Sequence, residues 1–197
     1  MYQRALLATL TALSISVLPV NAASTGTVNF KGRVTASTCD VSVDGQGVDA
    51  TVKLPTVPST DLASAGQTAG RTTFIMTLTN CTQTYFPPAS DDDEASLSDS
   101  MVSAFFQAGE TVDSSTGRLK QMALSGAENV SLQLRDGTNN NVIFAGSQTQ
   151  RNNNYFVDIT GKKGEEIRLP YVVEYYAESA ATSGVVTSSV VYNLQYQ

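Results

Sequence analysis

The sequence predicts an all-β protein, an antiparallel sandwich, on three observations. Apolar and polar residues alternate with period two in segment after segment, while no long stretch keeps a 3.6-residue period. Gly, Pro, Asn and Ser punctuate the intervals between those segments. Charged residues make up only 15% of the 197-residue chain, against abundant Ser, Thr, Asn, Val and Gly, the balance of a β-rich extracellular protein.

Met1 to Ala22 has the layout of a secretory signal peptide, residues 1–22. Arg4 and the free amine give the positive end, and Ala5 to Leu18 is an uncharged, mostly apolar run. That run falls short of the roughly 20 apolar residues that span a bilayer. Pro19 ends it, and Val20-Asn21-Ala22 offers a small-residue cleavage site, so the mature chain is expected to start at about Ala23.

"GTVNFKGRV" comes next and reads as a strand, with Gly26, Val28, Phe30, Gly32 and Val34 on one face. Thr27, Asn29, Lys31 and Arg33 take the other. Two glycines on the apolar side are unusual for a strand that merely closes its own sheet. "CDVSV" alternates Cys39, Val41 and Val43, and "ATVKLP" reads as a short strand stopped by Pro55. Pro55 to Gly70 and Tyr85 to Ser100 are expected as surface loops.

Between those loops, "TTFIMTLTNC" places Phe74, Met76 and Leu78 in the core and delivers Cys81 at its end. "MVSAFFQA" is the next strand, then "NVSLQLRD" with Val130, Leu132 and Leu134 aligned. The turn region from Asp136 to Asn141 makes "NVIFAG" a hairpin partner. "EEIRLPYVVEYYAES" is a long strand interrupted by Pro170. "VVTSSVVYNLQYQ" closes the series, with Val190, Tyr192, Leu194 and Tyr196 on one face.

Composition removes several functions. A net charge of −6 with no basic cluster disfavours nucleic acid and anionic lipid as partners. The absence of histidine excludes Ser-His-Asp and Cys-His catalysis, and two thiols without histidine build no usual zinc site. Exported thiols oxidise, so Cys39 and Cys81 are expected as one structural disulfide, contributing roughly 4 kcal/mol in the chain-entropy model. Asp91, Asp92, Asp93, Glu94 and Asp99 are nearly contiguous with no glycine to shape a calcium loop, and read as a solvated, self-repelling segment. No catalytic residue, cofactor or metal site is therefore expected.

The first strand has two readings. Pattern alone favours an ordinary strand within a complete sandwich. The other reading starts from the last strand, an apolar edge that something must cover. A separate N-terminal strand could cover it on another copy, head to tail, which propagates into a filament.

The ordered set "GTVNFKGRV", "STCDV", "TTFIMTLTNC", "VSLQLRDGTNNNV" and "YNLQYQ" resembles the type 1 fimbrial major pilins of the chaperone–usher pathway. The resemblance covers nearly all of the mature chain and reverses the preference between the two readings. It implies an immunoglobulin-like antiparallel sandwich lacking its last strand, over residues 37–197, preceded by an N-terminal donor-strand extension over residues 23–36. Gly26, Val28, Phe30, Gly32 and Val34 would form the donor strand, with Gly26 where the groove is shallow and Val28 and Phe30 filling deeper pockets. Val190, Tyr192, Leu194 and Tyr196 would wall the acceptor groove and contact the chaperone.

The implied partners are neighbouring copies of the chain, a periplasmic chaperone and an outer-membrane usher, with membrane contact only through the usher. The implied location is a pilus on the cell surface, reached through the periplasm. The implied function is a structural, non-enzymatic subunit of an adhesive fibre. A minor adaptor or carbohydrate-binding tip subunit of such a fibre is the alternative.

Overall fold

Alternating apolar residues build the long central strands, and side chains close the places where strands stop. The computed structural model describes residues 28, 38–82 and 100–197. The signal segment, Gly26, Phe30, Gly32, Val34 and the acidic loop from Asp91 to Asp99 lie outside the described residues. In chain order the described elements are β1 (Thr38–Val43), a 3-10 turn (Ser59–Leu62), β2 (Thr68–Thr82), β3 (Met101–Phe106), β4 (Leu119–Lys120), β5 (Val130–Asp136) and β6 (Val142–Ile143). The short helix α1 (Gln150–Asn153), β7 (Val157–Asp158), β8 (Ile167–Ala177) and β9 (Tyr192–Tyr196) follow.

All strand pairs are antiparallel. The larger sheet runs β1-β2-β8-β5-β4 with β6 added beside β5, and the smaller runs β7-β3-β9. The core lies between them. Phe74, Met76, Leu78, Leu132 and Leu134, expected as core, are all buried, and Val102, Ala104 and Phe106 meet them from the smaller sheet. Tyr171 stands at the centre, edge-on to Phe106 at 5.1 Å between ring centroids and 5.7 Å from Phe74.

The expected hairpin forms. Leu134 pairs with Ile143, and the buried Asp136 carboxylate organises the turn. Its Oδ1 accepts from the N–H of Thr138 at 2.8 Å and of Asn139 at 3.2 Å, and its Oδ2 from the N–H of Tyr155 at 2.8 Å.

Three strand expectations change. "ATVKLP" is not a strand, although Val52 and Leu54 pack on the core. The Gln46 side-chain amide takes both backbone groups of Thr51, donating to its C=O and accepting from its N–H, which replaces a ladder. Pro170 does not interrupt β8. Its carbonyl accepts from Gly137 N–H at 2.9 Å, so its nitrogen faces the side on which β5 has just ended at Asp136, and no ladder bond is lost. The terminal strand is shorter than its alternation suggests. Before Tyr192 the backbone bonds scattered partners, with Val185 C=O accepting from Ala127, Thr187 C=O from Met122 and Val191 C=O from Gln107.

Candidate functional site

β9 belongs to the smaller sheet and pairs with β3, setting Tyr196 opposite Val102, Leu194 opposite Ala104 and Tyr192 opposite Phe106. Reciprocal bonds between Met101 and Gln197, at 2.9 and 3.0 Å, anchor its end. Its other edge has no strand partner among the described residues. β1 lies at the edge of the larger sheet and, among the described residues, pairs only with β2. The two unpaired edges, one from each sheet, flank an open groove of about 530 Å³.

Val190, Tyr192, Leu194 and Tyr196, the four residues expected on one face, all line this groove. The facing wall is Thr38, Cys39 and Val41, and Val48 and Asp49 also line the groove. Nothing in the sequence pointed to that facing wall. "CDVSV" showed an alternating strand, but nothing in it says which strand stands opposite. The Cys39–Cys81 disulfide forms and ties the start of β1 to the end of β2, beside an Asn80 to Asp40 side-chain bond of 2.8 Å. Val28, the described member of the predicted donor stripe, is 73% exposed.

Two tyrosines four residues apart reach across the groove. Tyr192 O–H donates to the Val48 carbonyl at 2.7 Å, and Tyr196 lies beside the Cys39 backbone. Burial pushes both phenols above their ordinary range. For Tyr192 the Asp49 carboxylate adds to the effect, whereas for Tyr196 the Cys39 backbone opposes it. The slot is thus half apolar, neutral along most of its length and bordered by strand edges that have no strand partner among the described residues. Such a site binds an extended segment whose apolar side chains alternate.

A second cleft, about 500 Å³, differs in kind. Its Arg118 holds Glu178 through two bonds of 2.8 and 2.9 Å and lies 4.0 Å above the Tyr176 ring, while Ser131 Oγ donates to Glu178 at 2.6 Å. These charges satisfy one another, and the cluster braces the outer face of β5 and β8.

Residues 54–197 match the family model described as type-1 fimbrial protein, A. The chain is 42% identical over 188 residues to the major fimbrial subunit SMF-1 of Stenotrophomonas maltophilia, covering 93% of this chain and 99% of that one. It is 34% identical over 172 residues to the F17 fimbrial protein of Escherichia coli, covering 87% of each. Among solved structures, the subunit of a chaperone–usher pilus superposes with a TM-score of 0.55 at 20% identity, over 91% of this chain and all of that one. The P pilus rod subunit PapA gives a TM-score of 0.54 at 20% identity, over 81% of this chain and 99% of its own. The fold shared with them is the immunoglobulin-like sandwich.

Proposed function

Because the chain belongs to the type-1 fimbrial protein family, we propose that it polymerises by lending residues 23–36 to the groove of a neighbouring copy. The protein is a structural subunit of a pilus, exported to the periplasm and assembled on the cell surface. The observation that carries the polymerisation reading is the groove itself, a half-apolar gap between the outer edges of β1 and β9 with the length of β9 for a wall.

Strand addition to an open sheet edge is an established mode of recognition, and chaperone–pilin complementation is among its known instances. A strand placed here pairs with free main-chain groups, each bond contributing about 0.5–1.5 kcal/mol. Val28 and Phe30 then leave water, contributing roughly 1.5–3 kcal/mol each before ordering costs. Donor and acceptor are different surfaces, so the contact repeats without closing. A periplasmic chaperone occupies the groove before assembly, and the outer-membrane usher is where the incoming extension replaces it.

The test is deletion of residues 23–36 from the mature chain. The truncated subunit retains a groove but has nothing to lend, so it joins one end of a filament and makes none alone. Filaments formed by the truncated subunit alone, seen by electron microscopy, would overturn the reading.

A further inference from the structure

The smaller sheet has a second edge, closed by three side chains and one loop N–H instead of a strand. β7 pairs with β3 only at Met101 and Val102. Met101 and Gln107 direct their backbone bonds toward the β9 side, so the groups facing away from β9 beyond Val102 belong to Ala104 and Phe106. Ala104 N–H donates to Tyr171 Oη at 2.9 Å, and Ala104 C=O accepts from Asn154 Nδ2 at 3.2 Å. Phe106 N–H donates to Gln150 Oε1 at 2.9 Å, and Phe106 C=O accepts from Gln150 Nε2 at 3.0 Å and from the Gly146 N–H at 2.8 Å. Gln150 therefore offers Phe106 the same donor and acceptor that a peptide group of a neighbouring strand offers.

All three side chains are buried, Gln150 and Tyr171 at 1% exposure and Asn154 at 6%. Polar groups at that depth are present for their bonds. The bonds they make run along one strand edge, at alternate residues, where an incoming strand would bond.

We propose that Gln150, Asn154 and Tyr171 act as a surrogate strand that seals the free edge of β3, so that the smaller sheet accepts a donor segment at β9 alone. The inference rests on the strand-addition reading above and adds what makes the reaction one-sided. An unsealed β3 edge presents the same unpaired groups as β9 does. Residues 23–36 of another copy can pair there as well. A subunit with one open edge extends a line, and a subunit with two open edges branches it.

The experiment uses the mature full-length chain in three forms: native, Gln150→Leu combined with Asn154→Leu, and Tyr171→Phe. Amide hydrogen exchange is followed at Ala104 and Phe106 with Leu132 and Leu134 as internal references, and filaments are imaged by electron microscopy. The Phe106 amide in the double variant, and the Ala104 amide in Tyr171→Phe, should exchange at least about tenfold faster relative to the references, the ratio expected when a buried bond is lost. Filaments of the double variant should branch or fuse side by side.

Linear filaments overturn the proposal, whether the edge amides stay slow or become fast. In the second case the three side chains only stabilise the fold. If the double variant does not fold, Tyr171→Phe keeps the ring against Phe74 and Phe106 and applies the same two readouts at Ala104. Failure of the strand-addition reading itself shows separately, as native filaments that persist without residues 23–36.

Discussion

Leu194 is the single side chain at which the proposed assembly is most directly tested. It is half-buried, packed on the core from β9 and facing the slot that residues 23–36 are proposed to fill. In Leu194→Asp the free subunit keeps its fold, because the carboxylate reaches water through the open groove. A strand laid over it must desolvate that charge and lose an apolar contact of about 2 kcal/mol. The variant should still lend its own extension, so adding it to native subunits should shorten filaments in proportion to dose. Unchanged filament length by electron microscopy would refute this. Tyr171 supports a second prediction at this scale. Burial, partly opposed by its bonds to Ser103 and Ala104, pushes its phenol from 10.0 up to about 12. The native state then holds a proton that the unfolded chain releases. Stability is complete below pH 10 and falls by about 1.4 kcal/mol per pH unit between pH 10 and pH 12. Tyr175, Tyr192 and Tyr196 are shifted in the same direction by burial. Urea midpoints measured from pH 9 to pH 12 should fall, and Tyr171→Phe should flatten part of that slope.

At the scale of elements, the two groove walls are held in different ways. β9 is held by its ladder to β3 and by the bonds at Met101, while β1 is held by its ladder to β2 and by the disulfide. The β1–β2 register shifts between Thr38 and Asp40, so the ladder is weakest where Cys39 crosses to Cys81. Replacing both cysteines with serine should cost about 2–5 kcal/mol, read as a lower denaturant midpoint. The same change should speed exchange in β1 ahead of β8, whose neighbours on both sides are strands. An equal loss of protection in both strands would show that the bridge acts on the whole domain and not on this wall. β8 also shows how a proline is tolerated inside a sheet, since Pro170 falls where the partner strand has already turned away.

At the scale of the molecule, assembly follows from where the gap lies. It opens between edge strands of two different sheets, so a strand inserted there bonds to the smaller sheet through β9 and meets the larger one at β1. The proposed joint would contribute core as well as ladder. The opposite edge of the smaller sheet is occupied by Gln150, Asn154, Tyr171 and the Gly146 N–H. One edge open and one edge closed is the arrangement that yields an unbranched fibre.

Much of this was legible in the sequence. Period-two alternation located β1, β2, β3, β5 and β8 and identified Phe74, Met76, Leu78, Leu132 and Leu134 as core, because which face of a strand is apolar is written locally. The pairing of Cys39 with Cys81 followed from there being two, and the hairpin at Asp136 from its turn residues. The four groove residues on the terminal strand were visible as a stripe. Their facing wall was not, nor was the role of Gln150, Asn154 and Tyr171. Alternation fixes what each strand shows to either side but not which strand stands next to it, and a glutamine that bonds a strand 44 residues away leaves no local mark. Tertiary packing alone decided that β1 faces β9 across an opening, and that the other edge is closed by side chains and one loop N–H.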